Sequence, residues 1–168
     1  MVELYFLCVW LHIVAAATWL GGMLFLALVL VPVLRRVPRA QTAPLFRATA
    51  RRFRNLSWVA LGVLAITGTY NLWIRGVSAT NLLQPDWLGS PFGRTVVAKL
   101  SLFVLVLIAS LVHDFAVGPR ASAALETADD ESTAARWRRG AAWLGRATAA
   151  ASLVLVALGV ILVRGSPW

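Results

Sequence analysis

The chain has 168 residues, 60% of them hydrophobic, with a mean hydropathy of +0.76. Soluble domains run at about 45–50% apolar, so the composition argues against an ordinary water-soluble globular domain and for an integral membrane protein. Net charge is +9 and the sequence pI is near 11.6, but the basic residues cluster in two segments, which membrane topology explains without nucleic acid as a partner.

Four apolar runs predict four membrane-spanning helices. The continuous runs lack the ~10-residue alternation of a membrane barrel. The first helix covers about 4–34, with Pro32 near its end and Pro38 and Pro44 closing it. It has no basic leader and ends in arginines, so it reads as a retained helix rather than a cleaved signal. The second covers about 56–74, the third about 95–117, stopped by "GPR" at Gly118–Arg120, and the fourth about 141–163. The expected fold is all-α, a single transmembrane domain over 1–168 forming an integral membrane four-helix bundle. Cys8 is the one cysteine, so no internal disulfide forms.

Charge sets the expected orientation. The segment "RRVPRAQTAPLFRATARRFRN" carries Arg35, Arg36, Arg39, Arg47, Arg51, Arg52 and Arg54, and reads as a loop. The segment before the fourth helix carries Arg120, Arg136, Arg138 and Arg139. The positive-inside rule puts both in the cytoplasm and both termini outside, in a bacterial-type inner membrane crossed several times. Trp73, Trp87 and Trp168 then mark the outer interface, and Trp58 and Trp137 the inner one. Glu126, Asp129, Asp130 and Glu131 read as a solvated turn leading into the fourth helix. Gly21, Gly22 and Gly62 read as places where helices approach closely.

Ionisable and sulfur side chains inside a bilayer are expensive, and six stand out. On the first helix, Cys8, His12, Trp19 and Met23 share one stripe. Thiolate, imidazole and thioether are ligands suited to copper. Cys8 and His12 are one turn apart, whereas Met23 lies ~16 Å further along and cannot join them. On the third helix, Lys99 has an estimated depth of ~6 Å, near the ~12 Å of His12, so the two would share an outer-leaflet cavity. His113, at ~27 Å, matches Met23 at ~28 Å and suggests an inner pair. Asp114 would pair with Arg120 or another loop arginine at the interface. The depth difference of ~15 Å argues against a haem held between His12 and His113, while His12 alone or with Lys99 remains open as a haem site.

"LHIVAAATWLGG", "RRFRNLSWVALGVLAITGTYNLW" and "PFGRTVVAKLSLFVLVL" together resemble the copper resistance protein D (CopD) family over about Leu11 to Arg120, with a weaker match in the last helix. The resemblance implies an inner-membrane helical bundle associated with copper import or tolerance, and carries over His12, Trp19, Gly21, Gly22 and Lys99. The layout is also similar to the HemJ type of protoporphyrinogen oxidase, which implies haem b, with His12 and Lys99 at the matching positions. Three functions follow. Copper ions would be bound at Cys8 and His12, with Lys99 tuning charge, and leave past Met23 and His113; a homodimer is one way to complete the route. Alternatively, haem b or another tetrapyrrole would bind at His12, Lys99 and Trp19 in a redox protein. The third function is a structural subunit whose polar residues join helices.

Overall fold

Backbone N–H and C=O groups have no water to bond inside a bilayer, so an apolar chain that enters one satisfies them within a helix. The computed structural model describes residues 2–123 and 131–165, and among them there is no strand. Four helical segments are long and apolar enough to cross a membrane: Val2–Leu34, Thr42–Ile74, Pro91–Ala121 and Ala135–Arg164. Between 11% and 28% of each span's most apolar stretch is buried within the protein. Phe6, Trp10, Ile66, Leu105, Phe115 and Val163 are instead largely exposed. Apolar residues outside and small or polar ones inside is the arrangement a lipid solvent produces.

The chain divides into two units, Met1–Gln84 and Pro85–Trp168. In the first, α1 (Val2–Phe25) runs into a π-helical turn (Leu26–Leu30) and a short α2 (Val31–Leu34). After a brief connection, α3 (Arg39–Ile74) packs back against α1. The core of this hairpin is Ala15 and Trp19 from α1 against Ala60, Leu61 and Leu64 from α3, with Leu61 only 2% exposed. Gly76, at φ +75°, ends α3 in the left-handed conformation that glycine adopts without strain. Its N–H bonds to the Trp73 carbonyl and that of Val77 to the Leu72 carbonyl, closing the helix terminus.

In the second unit, α4 (Pro85–Gly89) leads into α5 (Pro91–Leu111), a π-helical turn (Val112–Val117) and α6 (Gly118–Ala123). The long α7 (Glu131–Arg164) packs on α5 and α6. Ser90 caps α5, accepting from the Gly93 N–H at 3.0 Å while donating to the Trp87 carbonyl at 2.6 Å. Val96, 1% exposed, and Val106 fill the core between α5 and α7.

The first basic segment is not a loop beyond Pro38. Arg39 starts α3 some 17 residues before the expected 56, because the Ala-, Leu- and Arg-rich stretch favours helix. Pro44 falls inside it and removes one backbone bond. Nor does "GPR" stop the third span, which continues to Ala123. Each π-helical turn ends two residues before a proline, Leu30 before Pro32 and Val117 before Pro119. Proline lacks an N–H and crowds the carbonyl four residues back. The widened turn, with Val31 N–H on Leu26 and Gly118 N–H on His113, accommodates the ring without breaking the helix. The acidic residues Glu126, Asp129 and Asp130, and Trp168, lie outside the described residues; Glu131 opens α7.

Candidate functional site

His12 faces α3. Its Nδ1 lies 2.8 Å from Thr67 Oγ1. The Thr67 hydroxyl gives its own proton to the Val63 carbonyl at 2.6 Å, so toward the imidazole it only accepts. That pairing suits the tautomer with the ring proton on Nδ1 and, in the neutral ring, the lone pair on Nε2. Gly68, the next residue, leaves space for the ring: a Cβ there would stand 3.3 Å from His12 Cε1. The imidazole is thus held in one orientation by a hydroxyl and a missing methyl group. An anchored Nδ1 with Nε2 presented is how metal-ligating histidines are commonly set.

Cys8, Met23 and Trp19 share the inward stripe of α1. Cys8 and Met23 are half-buried and Trp19 is buried at 5% exposure in the hairpin core. The register fixed by His12 opposite Thr67 puts Cys8, one turn earlier, level with Asn71, one turn later on α3. Asn71 Oδ1 is buried and has no hydrogen-bond partner among the described residues. The polar level of this hairpin therefore contains a thiol, an imidazole and an orphaned amide oxygen. Among the described residues no three His, Cys, Asp or Glu side chains cluster as a metal centre.

Lys99 and His113 belong to the second unit, fourteen residues apart on one face of the span that begins with α5. Each meets a glycine of α7. A Cβ at Gly159 would be 3.1 Å from Lys99 Nζ, and one at Gly145 would be 3.9 Å from His113 Nε2. Between those glycines α7 presents Thr148 and Ser152, both buried, with hydroxyls bonded to the carbonyls of Leu144 and Thr148. Gly159→Ala is expected to cost under ~1 kcal/mol in a thermal melt, since the flexible lysine stem swings aside. Gly159→Phe, which fills the space, is expected to lower the melting point clearly.

His113 sits in the π-helical turn, and its Nδ1 is 2.9 Å from Asp114 Oδ1. Arg120, one of the arginines expected to pair with Asp114, is bonded elsewhere. It donates to the Ala116 carbonyl at 2.8 Å and lies over the Trp137 ring at 5.7 Å. Of the glycines read as close-approach points, Gly22 is one, packed against the Phe53 ring, whereas a Cβ at Gly21 or Gly62 would meet nothing within 4 Å.

Sequence reasoning passed over Thr67, Gly145 and Gly159. The available signal was the small-residue periodicity of the second helix in each hairpin, with Gly145, Thr148, Ser152 and Gly159 on one α7 face.

The profile of the family "Copper resistance protein D" matches residues 47–164, well over half of the chain. That span includes the last helix, where the resemblance is weaker by sequence, and contains Lys99, His113 and Asp114. It begins after Cys8, His12, Trp19 and Met23. An uncharacterized protein of Aquifex aeolicus (strain VF5) is 32% identical over 160 residues, covering 95% of each chain. No solved structure matches significantly. A membrane-length helical chain matched over most of its length by that profile belongs to the copper resistance protein D family.

Proposed function

We propose that this protein handles copper ions in a bacterial-type plasma membrane, binding a cuprous ion through Cys8 Sγ and His12 Nε2 in its first helical unit. The observation that carries this reading is the anchoring of His12 Nδ1 by Thr67, which orients the ring one turn from a thiol. Softness agrees with the metal, since thiolate and imidazole suit Cu(I). Charge agrees as well. A monovalent cation with one thiolate and one neutral imidazole is neutral overall, which limits the penalty of holding charge in a low-dielectric medium. Met23 and His113 are further donors in the two units, the latter oriented by Asp114. Lys99 places its amine against Gly159 of α7 in the second unit. Both termini face outward, with the arginine-rich segments in the cytoplasm.

The test is an anaerobic Cu(I) titration of the purified protein against a chromophoric chelator, with the visible spectrum recorded on the same sample. The expected result is a colourless protein that holds one Cu(I) per chain and loses it in Cys8→Ser. A Soret band that vanishes in His12→Ala assigns haem b to this site and overturns the copper assignment.

A further inference from the structure

A trough of about 410 Å³ runs between the end of α1 and the basic start of α3. Its walls are apolar: Gly22, Phe25 and Leu26 on one side, Leu45, Phe53 and Leu56 on the other. Thr49 and Arg52 are its polar members. Beside it lies a second depression, also about 410 Å³, lined by Pro44, Arg47, Ala48, Arg51 and Arg52. The two share Ala48 and Arg52. The helical period explains the pairing, because residues 45, 49, 52 and 56 form one stripe of α3 while 44, 47 and 51 form the next. An apolar channel and a cluster of three guanidinium groups therefore meet at Arg52.

We propose that this double groove binds one anionic phospholipid, with an acyl chain in the trough and the phosphate on Arg51 and Arg52. Three features select that occupant. Phe25, Leu45 and Leu56 are about half exposed on helices of membrane-spanning length, so an acyl chain is the partner that covers them. The lining of both depressions contains arginines and no carboxylate, and guanidinium forks match phosphate oxygens in pairs. The arginines end at Arg54, two residues before Leu56, where a run free of charged residues begins and continues to Ile74, which sets them at headgroup level. The groove lies wholly in the first unit and does not depend on the copper assignment.

The experiment uses the full chain in detergent, mixed with equal amounts of phosphatidylglycerol and phosphatidylcholine carrying the same acyl chains, with retained lipid read by native mass spectrometry. One phosphatidylglycerol per chain is expected, with the zwitterionic lipid retained about tenfold less. The Arg51→Gln/Arg52→Gln double variant is expected to lose that preference. Ala48→Trp, which fills the wall common to both depressions, is expected to lower retention of both lipids. Circular dichroism checks that each variant folds, and Arg51→Lys/Arg52→Lys, which keeps charge without the fork, gives an intermediate result. Equal retention of the two lipids, or unchanged preference in the folded glutamine variant, overturns the proposal. So does displacement of phosphatidylglycerol by inorganic phosphate, which would make the groove a site for a soluble anion.

Discussion

Replacing His12 with alanine is expected to lower Cu(I) affinity by more than the 10–100-fold typical of losing an outer-shell partner, because it deletes one of two proposed ligands. The sharper test is at Thr67. Thr67→Val keeps the β-branched shape but removes the oxygen that accepts the Nδ1 proton at 2.8 Å. A buried donor without its acceptor costs about 1–3 kcal/mol. The ring then gains by turning or by moving its proton to Nε2, and either change takes the lone pair away from the metal. Cu(I) affinity in Thr67→Val is expected to fall about 10–100-fold. Thr67→Ser, which keeps the hydroxyl, restores most of it. Competition titrations read both. If Thr67→Val binds Cu(I) as the parent does while His12→Ala does not, the imidazole is a ligand but its orientation is not set by α3. If His12→Ala also binds normally, the site is elsewhere.

Gly93→Ala is expected to give the largest stability loss of any single methyl addition in the described residues. A Cβ at Gly93 would run into the backbone carbonyl of Trp87 and stand 3.0 Å from Ser90 Oγ. That carbonyl already accepts from the Ser90 N–H at 3.1 Å and from its hydroxyl at 2.6 Å. It belongs to backbone and has no flexible end to swing away. Relief requires moving α4 from the start of α5, which also pulls Ser90 off the Gly93 N–H. Overpacking costs about 1–3 kcal/mol and a lost cap about 1 kcal/mol, so roughly 2–4 kcal/mol is expected together. Detergent-solubilised melting curves measure this, with Gly21→Ala and Gly62→Ala as controls. A Cβ at either control position meets open space, so both are expected within ~0.5 kcal/mol of the parent. A Gly93→Ala protein as stable as the controls removes the argument that this cap fixes the entry of the helix carrying Lys99.

The four spans and the stripe holding Cys8, His12, Trp19 and Met23 were legible from the chain itself. Those features depend on hydropathy over about 20 residues and on the 3.6-residue turn, both local properties. The basic segment was misread as a loop because arginine density marks the aqueous side of a membrane without saying whether the backbone there is helical. The α3 extension from Arg39 and the passage through Gly118 to Ala123 are decided by neighbours, the second with a π-helical turn that makes room for Pro119. The family resemblance was legible too, since it rests on residue order.

What only the tertiary structure decided is which atoms meet. His12 on its own is an imidazole in an apolar helix. Thr67, 55 positions later, and Gly68 beside it turn that imidazole into a ring of defined orientation. Asp114, expected to reach a loop arginine, also meets its neighbour His113 within the π-helical turn. Gly21 and Gly22 look alike in the sequence, yet only Gly22 receives an aromatic ring. Composition and periodicity depend on each residue and its near neighbours, whereas hydrogen-bond partners and close approaches depend on the register between helices distant in sequence. That register is set by the packing of whole faces, Trp19 and Ala15 on Leu61 and Leu64, and no short stretch of sequence contains it.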